Sequence, residues 1–108
     1  IALKGSIKLC AFDDRDGSPT KGELAEIILS EENLQVARIV GACWHGYKAI
    51  GNKPSLVLYA VTKLYDNNNP DEERRPWNDS KIIPVRINGK VNDVRVGKSY
   101  DWNFPLHK

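Results

Sequence analysis

Asn88-Gly89 is the pair of residues that most constrains how this chain folds. It lies between two apolar stretches, 82–87 and 90–96. Asn-Gly is the preferred centre of a type I′ turn, because both central residues must take positive φ. The spacing therefore predicts a hairpin in which Val91, Val94 and Val96 can face a core, with Pro84 marking an edge or a bulge. Upstream, Ser6-Ile7-Lys8-Leu9-Cys10-Ala11-Phe12 reads as a strand, stopped by the turn-forming residues 13–19. Residues 55–65, with Leu56, Val57, Leu58, Tyr59 and Val61, read as the clearest buried strand. The polar, proline-containing segment 66–77 reads as a solvated loop.

One segment is ambiguous. Thr20 and Glu23 have the spacing of a capping box, and Leu24, Ile27 and Ile28 then fall on one helical face, with Glu26, Glu31 and Glu32 mostly off it. This predicts a helix over about 21–32; the β-branched Ile27 and Ile28 leave a strand as the alternative. Residues 34–40 make an imperfect strand, and 41–51 are glycine-punctuated and aromatic. The expected class is α+β, one helix packed on an antiparallel β-sheet, in a single domain over residues 1–108. If 21–32 is a strand, the class becomes an all-β sandwich.

Composition narrows function only slightly. With 41% hydrophobic and 28% charged residues, the chain is expected to be globular and soluble, and its apolar runs are too short to span a bilayer. A net charge of +2 neither requires nor opposes nucleic acid. The first residue is isoleucine, and two cysteines are present, which together suggest a cleaved signal peptide and secretion. Asn78-Asp79-Ser80 would be a glycosylation acceptor there. In an oxidising compartment Cys10 and Cys43 would form one disulfide, worth on the order of 4 kcal/mol in the loop-entropy model. The rival reading makes Cys43 a nucleophile with His45 as its base.

No metal or cofactor is expected. The two cysteines with His45 and His107 lack the paired spacing of zinc modules. Asp13, Asp14, Asp16 and Gly17 resemble a calcium loop, but Phe12 takes its first ligand position and no glutamate closes it, so a solvated turn is expected. Trp44-His45-Gly46-Tyr47 is the segment that stands out: a histidine between aromatics can act as acid or base beside a stacking surface. Lys48, Lys53, Arg86, Arg95 and Lys98 would supply a phosphate-contacting face.

The order of strand, helix, Cys43-Trp44-His45-Gly46-Tyr47, long strand, Ile83-Pro84-Val85 and Asp93-Val94-Arg95-Val96 resembles the small guanyl-specific fungal ribonucleases. It equally resembles the ribonuclease-like secreted effectors of plant-pathogenic fungi. That resemblance implies catalytic roles for His45 and Arg95, with His107 as the second histidine. The family's general-base glutamate has no counterpart, since Lys81 and Ile82 precede Ile83-Pro84. The two cysteines 33 positions apart are also similar to the MAX-type fungal effectors, β-sandwiches.

These resemblances imply a secreted, monomeric, non-catalytic effector, acting outside or inside host cells. It would bind a host protein (immune receptor or target) or RNA through Trp44, His45, Tyr47, Lys48, Arg86 and Arg95. An active ribonuclease is the alternative, and a plain adhesive β-domain a third reading.

Overall fold

A computed structural model describes residues 1–104. Its regular elements are six strands: β1 (Ala2–Lys4), β2 (Ser6–Phe12), β3 (Glu23–Ser30), β4 (Trp44–Ile50), β5 (Leu56–Val57) and β6 (Arg86–Ile87). Four form one sheet in the order β4-β2-β3-β6, and β1 pairs with β5 in a second, two-stranded sheet. The described chain is all-β, which corrects the α+β expectation.

The predicted helix over 21–32 is instead β3, and the reason lies in Glu26. As a helix residue it reads as solvent-facing; in the structure it is 7% exposed and faces two buried cations. With Glu26 counted as an inward residue, Leu24 and Glu26 alternate with Ala25 and Ile27 at the period of a strand. Nor does the capping box form. The Thr20 hydroxyl donates to Asp13 (2.6 Å), and the Glu23 carboxylate pairs with Arg86.

β2 spans the residues read from sequence and occupies the middle of the larger sheet. It pairs antiparallel with β3 from Ser6↔Ser30 to Phe12↔Leu24, and with β4 from Ser6↔Ile50 to Phe12↔Trp44. Side chains of directly paired residues share a face, so the register sorts the sheet into two surfaces. One carries Lys8, Cys10, Phe12, Leu24, Glu26 and Trp44; the other carries Ile7, Leu9, Ala11, Ala25, Ile27, His45 and Tyr47.

Each surface has its own core. On the first, Cys10, Phe12 and Leu24 pack with Ile87 and Tyr100, so residues 82–102 cover that side. On the second, Ile7, Leu9 and Leu29 pack with Ala2 of β1, helped by Ala37, Ile39 and Val57. Burying each such aliphatic or aromatic side chain contributes roughly 1.5–3 kcal/mol.

The Asn88-Gly89 turn forms as expected, both residues at positive φ (48° and 76°), with Ile87 bridged antiparallel to Lys90. The strands around it do not extend. β6 is two residues long and lies parallel to β3, and Asn88 spends its side chain on the Glu26 backbone, accepting from its N–H (2.8 Å) and donating to its carbonyl (2.9 Å). Val91 and Val94 are exposed. The expected long strand over 55–65 shrinks to β5; Leu58, Val61, Leu64 and Tyr65 are all exposed.

The turn after β2 is solvated as expected at Asp14, Asp16 and Gly17, but not at its first residue. Asp13 is buried and accepts from the Arg15 guanidinium (2.9 Å) and the Ser18 and Thr20 hydroxyls (2.7 and 2.6 Å). Those donors hold its carboxyl far below the usual carboxylate range, the Arg15 bond foremost. Gly22 closes this turn at φ +84°, where a Cβ would stand 2.8 Å from Val85. No other residue type suits that backbone.

Candidate functional site

The proposed disulfide does not exist. Cys10 and Cys43 are both free thiols, and the strand register explains why: Cys10 lies in the first core, whereas Cys43 borders the opposite surface. Burial pushes the Cys10 thiol from 9.0 up to about 11, the largest effect, partly offset by its contact with the Tyr100 hydroxyl (2.8 Å). It is a packed, protonated group.

The phosphate-contacting face is not assembled either. Arg95 is 4% exposed, bonded to Glu26 (2.9 Å) and to both Asp93 oxygens (3.0 Å each). Its charge is consumed inside the protein. Lys8 approaches the same Glu26 oxygen at 3.3 Å, and the Tyr100 hydroxyl donates to it as well. Arg86 pairs with Glu23 at the far edge of the sheet, and Lys48 donates to Asn103 (2.9 Å). His107 lies outside the described residues.

Trp44 and His45 are adjacent in sequence and are sent to opposite surfaces by the pleat of β4. Trp44 goes into the first side, where it borders a cavity of about 300 Å³ with Phe12, Leu24, Tyr100 and Trp102; His45 reaches the rim of that cavity from the edge strand. The Arg75 guanidinium lies 5.4 Å above the Trp44 ring and is held by Asp14 (2.9 Å) and Asp79 (2.6 Å). The Lys81 backbone N–H first, and then Arg75, hold the Asp79 carboxyl below its ordinary range. This cavity is aromatic, and its partly buried arginine is already neutralised.

A histidine–tyrosine pair lies on the other surface. His45 Nε2 is 2.7 Å from the Tyr59 hydroxyl, and its Nδ1 is 3.1 Å from the Cys43 carbonyl. A carbonyl can only accept, so Nδ1 carries the proton. Nε2 is then bare and accepts from Tyr59. The two rings are nearly parallel, 22° between planes, and both residues are exposed. Tyr47 follows two residues after His45 on the same surface and is 51% exposed.

Tyr59 is the candidate residue that sequence reading missed. It was taken as part of a buried strand, yet it is 58% exposed. A tyrosine inside an aliphatic run is as ordinary in a core as in a site, so only its position opposite His45 distinguishes it. Among the described residues no group of three or more His, Cys, Asp or Glu side chains is placed to hold a metal ion.

Comparison with known proteins gives this pair its context. The family model described as dTDP-4-dehydrorhamnose 3,5-epimerase matches residues 1–96. A relative from Haloferax volcanii, "Probable low-salt glycan biosynthesis epimerase Agl13", is 45% identical over 107 residues, which cover 99% of this chain and 58% of the relative. The "Spore coat polysaccharide biosynthesis protein SpsL" of Bacillus subtilis is 35% identical over 78 residues, 72% of this chain and 52% of that protein. The chain thus spans about half the length of the curated relatives it matches. No solved structure gives a significant match.

These matches overturn the ribonuclease and fungal-effector resemblances. The short motifs behind those resemblances are weak beside a match across most of the chain, and the helix in the ribonuclease-like order is a strand. With them go the non-enzymatic reading, the host-protein and RNA partners, and the secreted compartment. Among the described residues no helix is long and apolar enough to cross a membrane. The all-β architecture is consistent with a cupin-type β fold. The chain belongs to the dTDP-4-dehydrorhamnose 3,5-epimerase family.

Proposed function

We propose that this chain acts in sugar epimerisation, on a nucleotide-linked 4-keto sugar destined for a glycan or polysaccharide, with His45 and Tyr59 as its proton-handling pair. The observation that carries the reading is the 2.7 Å contact between His45 Nε2 and the Tyr59 hydroxyl on an exposed sheet surface, in a chain of this family.

The family's description names a sugar with a ketone at C4 and inversion at C3 and C5, the two carbons that flank it. Hydrogens on such carbons are acidic because the carbanion left behind delocalises onto the ketone oxygen as an enolate. The chain must therefore offer a group that can hold or release a proton beside a planar enolate; inversion follows when the proton returns to the opposite face.

Tyr59 fits that task. Its hydroxyl is the donor in the pair, and the bare Nε2 of His45 can take its proton, leaving a phenolate to remove hydrogen from carbon. Inversion needs the new proton on the other face. Tyr59 therefore keeps the hydrogen it has removed, the imidazolium releases its proton to solvent, and water delivers a proton to the opposite face of the enolate. The Cys43 carbonyl fixes the imidazole tautomer and stabilises the charged ring.

The test is incubation of the protein with a dTDP-4-keto-6-deoxyhexose, following inversion at C3 and C5 by proton NMR. Inversion that is lost in His45→Ala and Tyr59→Phe supports the reading. Unchanged conversion by both variants excludes this pair, and no conversion by folded wild-type protein excludes the activity for this chain.

A further inference from the structure

The aromatic cavity on the first side of the larger sheet takes no part in the proton transfers above. At about 300 Å³ it still has the volume of a small-molecule site that holds one ring. Phe12, Trp44, Tyr100 and Trp102 wall it, and Trp77 also borders it, 62% exposed. Tyr100 and Trp102 meet edge to face, with 76° between planes and 5.5 Å between centroids. They make a corner, which fits a thick, puckered ring better than a flat one.

Two polar groups on this cavity are uncommitted. The Trp102 indole N–H is buried and has no hydrogen-bond partner among the described residues. Such a donor is costly until something accepts from it. Glu72 holds Arg74 (3.2 Å), and Asp14 and Asp79 hold Arg75, but the Glu73 carboxylate has no partner among the described residues. The indole needs an acceptor and the carboxylate a donor; a hydroxylated ligand supplies both.

Charge narrows the class further. Around the cavity four carboxylates (Asp14, Glu72, Glu73 and Asp79) stand against two guanidiniums (Arg74 and Arg75), a surplus that repels phosphate. Aromatic walls with surplus negative charge would suit a cation, but Arg75 already supplies one over Trp44. A cation also cannot accept from Trp102.

We propose that this cavity is a second, non-catalytic sugar site that takes a neutral pyranose. The C–H face of the sugar lies on the aromatic rings, one of its oxygens accepts from Trp102, and one hydroxyl donates to Glu73. A 6-deoxyhexose fits best, because its methyl group replaces a hydroxyl that the apolar walls could not satisfy. The site goes beyond the epimerase reading and does not rest on it, since the cavity lies across the sheet from the His45–Tyr59 contact.

The test is an NMR titration of the indole N–H signals with methyl α-L-rhamnopyranoside. The chain has three tryptophans, and the signal missing from Trp102→Phe identifies Trp102. That signal should move and saturate with a Kd on the order of 1 mM, ordinary for a ligand of about a dozen heavy atoms. Trp77→Ala should weaken binding at least fivefold and Glu73→Ala at least threefold, whereas Tyr59→Phe should bind as wild type does. Rhamnose 1-phosphate should bind at least fivefold more weakly than the neutral glycoside. A Trp102 signal unmoved at ~50 mM glycoside, far above that Kd, overturns the site. So does equal affinity in Trp77→Ala, or tighter binding of choline or thymidine. Binding lost in Tyr59→Phe but kept in Trp77→Ala puts the sugar at the proton-handling pair, which also overturns it. Epimerisation of the keto sugar by wild type bears on the epimerase reading alone. Trp77 and Glu73 are exposed, so circular dichroism of both variants should match wild type; if Trp77→Ala collapses, Glu73→Ala decides.

Discussion

His45 and Tyr59 are 14 residues apart in sequence and 2.7 Å apart in space, joined across the open edge of the larger sheet. β4 aims the imidazole outward, and the chain leaving β5 returns the phenol to it. Both rings are exposed, so the contact does little for stability, and its consequence should be chemical. Tyr59→Phe keeps the ring and removes the proton. Steady-state kinetics should show kcat down by a hundredfold or more, the usual worth of a positioned acid–base group. Thermal or urea unfolding should move by no more than about 1 kcal/mol, the scale of one exposed hydrogen bond.

The buried charge cluster should behave oppositely. Glu26 accepts from Tyr100 and balances Lys8 and Arg95 in the interior. Removing one partner of such a cluster leaves uncompensated buried charge, so Glu26→Ala should cost about 3–5 kcal/mol in urea denaturation. A loss below about 1 kcal/mol would show that the carboxylate is not the hub of this interior.

Alkaline pH should weaken the fold through Cys10. Its folded pKa is raised from 9.0 to about 11, so the native state keeps a proton that the unfolded chain releases. The contribution is complete below pH 9.0 and is lost as pH climbs toward 11. Over that window each such group lowers stability by about 1.4 kcal/mol per pH unit. Burial first, and then Cys10 and Glu26, raise the Tyr100 hydroxyl too, adding to the decline above pH 10. Cys10→Ala should flatten the slope of unfolding free energy against pH between pH 9 and 11.

Thiol chemistry checks the absent disulfide. A thiol-reactive dye should label the half-buried Cys43 in the native protein and reach Cys10 only on unfolding, while reductant leaves the Tm unchanged. A Tm that falls with reductant would contradict the free thiols.

Gly22→Ala should destabilise by at least ~2 kcal/mol by chemical denaturation, since φ of +84° is strained for any Cβ and Val85 occupies the space. A change under 0.5 kcal/mol, the scale of ordinary surface substitutions, would mean the turn relaxes freely.

Legibility in the sequence varied with how local the controlling interaction is. β2 was readable to the residue, as was the turn at Asn88-Gly89. Each depends on neighbours in sequence. β3 was misread because Glu26 owes its burial to Lys8 and Arg95, 18 and 69 positions away, and a buried ion cluster mimics the polar face of a helix. Arg95 was misplaced for the same reason. Tyr59 was missed because its meaning depends on His45 lying opposite, which only the tertiary arrangement provides. Function was misassigned because short motifs around His45 and Arg95 were made to carry a whole-chain resemblance.

Solvent exchange tests the central claim most directly. In D2O, with a dTDP-4-keto-6-deoxyhexose, the wild-type protein should place deuterium on the carbons flanking the ketone, and Tyr59→Phe should slow this at least a hundredfold. No deuterium at those carbons with folded wild-type protein, or equal incorporation by Tyr59→Phe, would contradict the account.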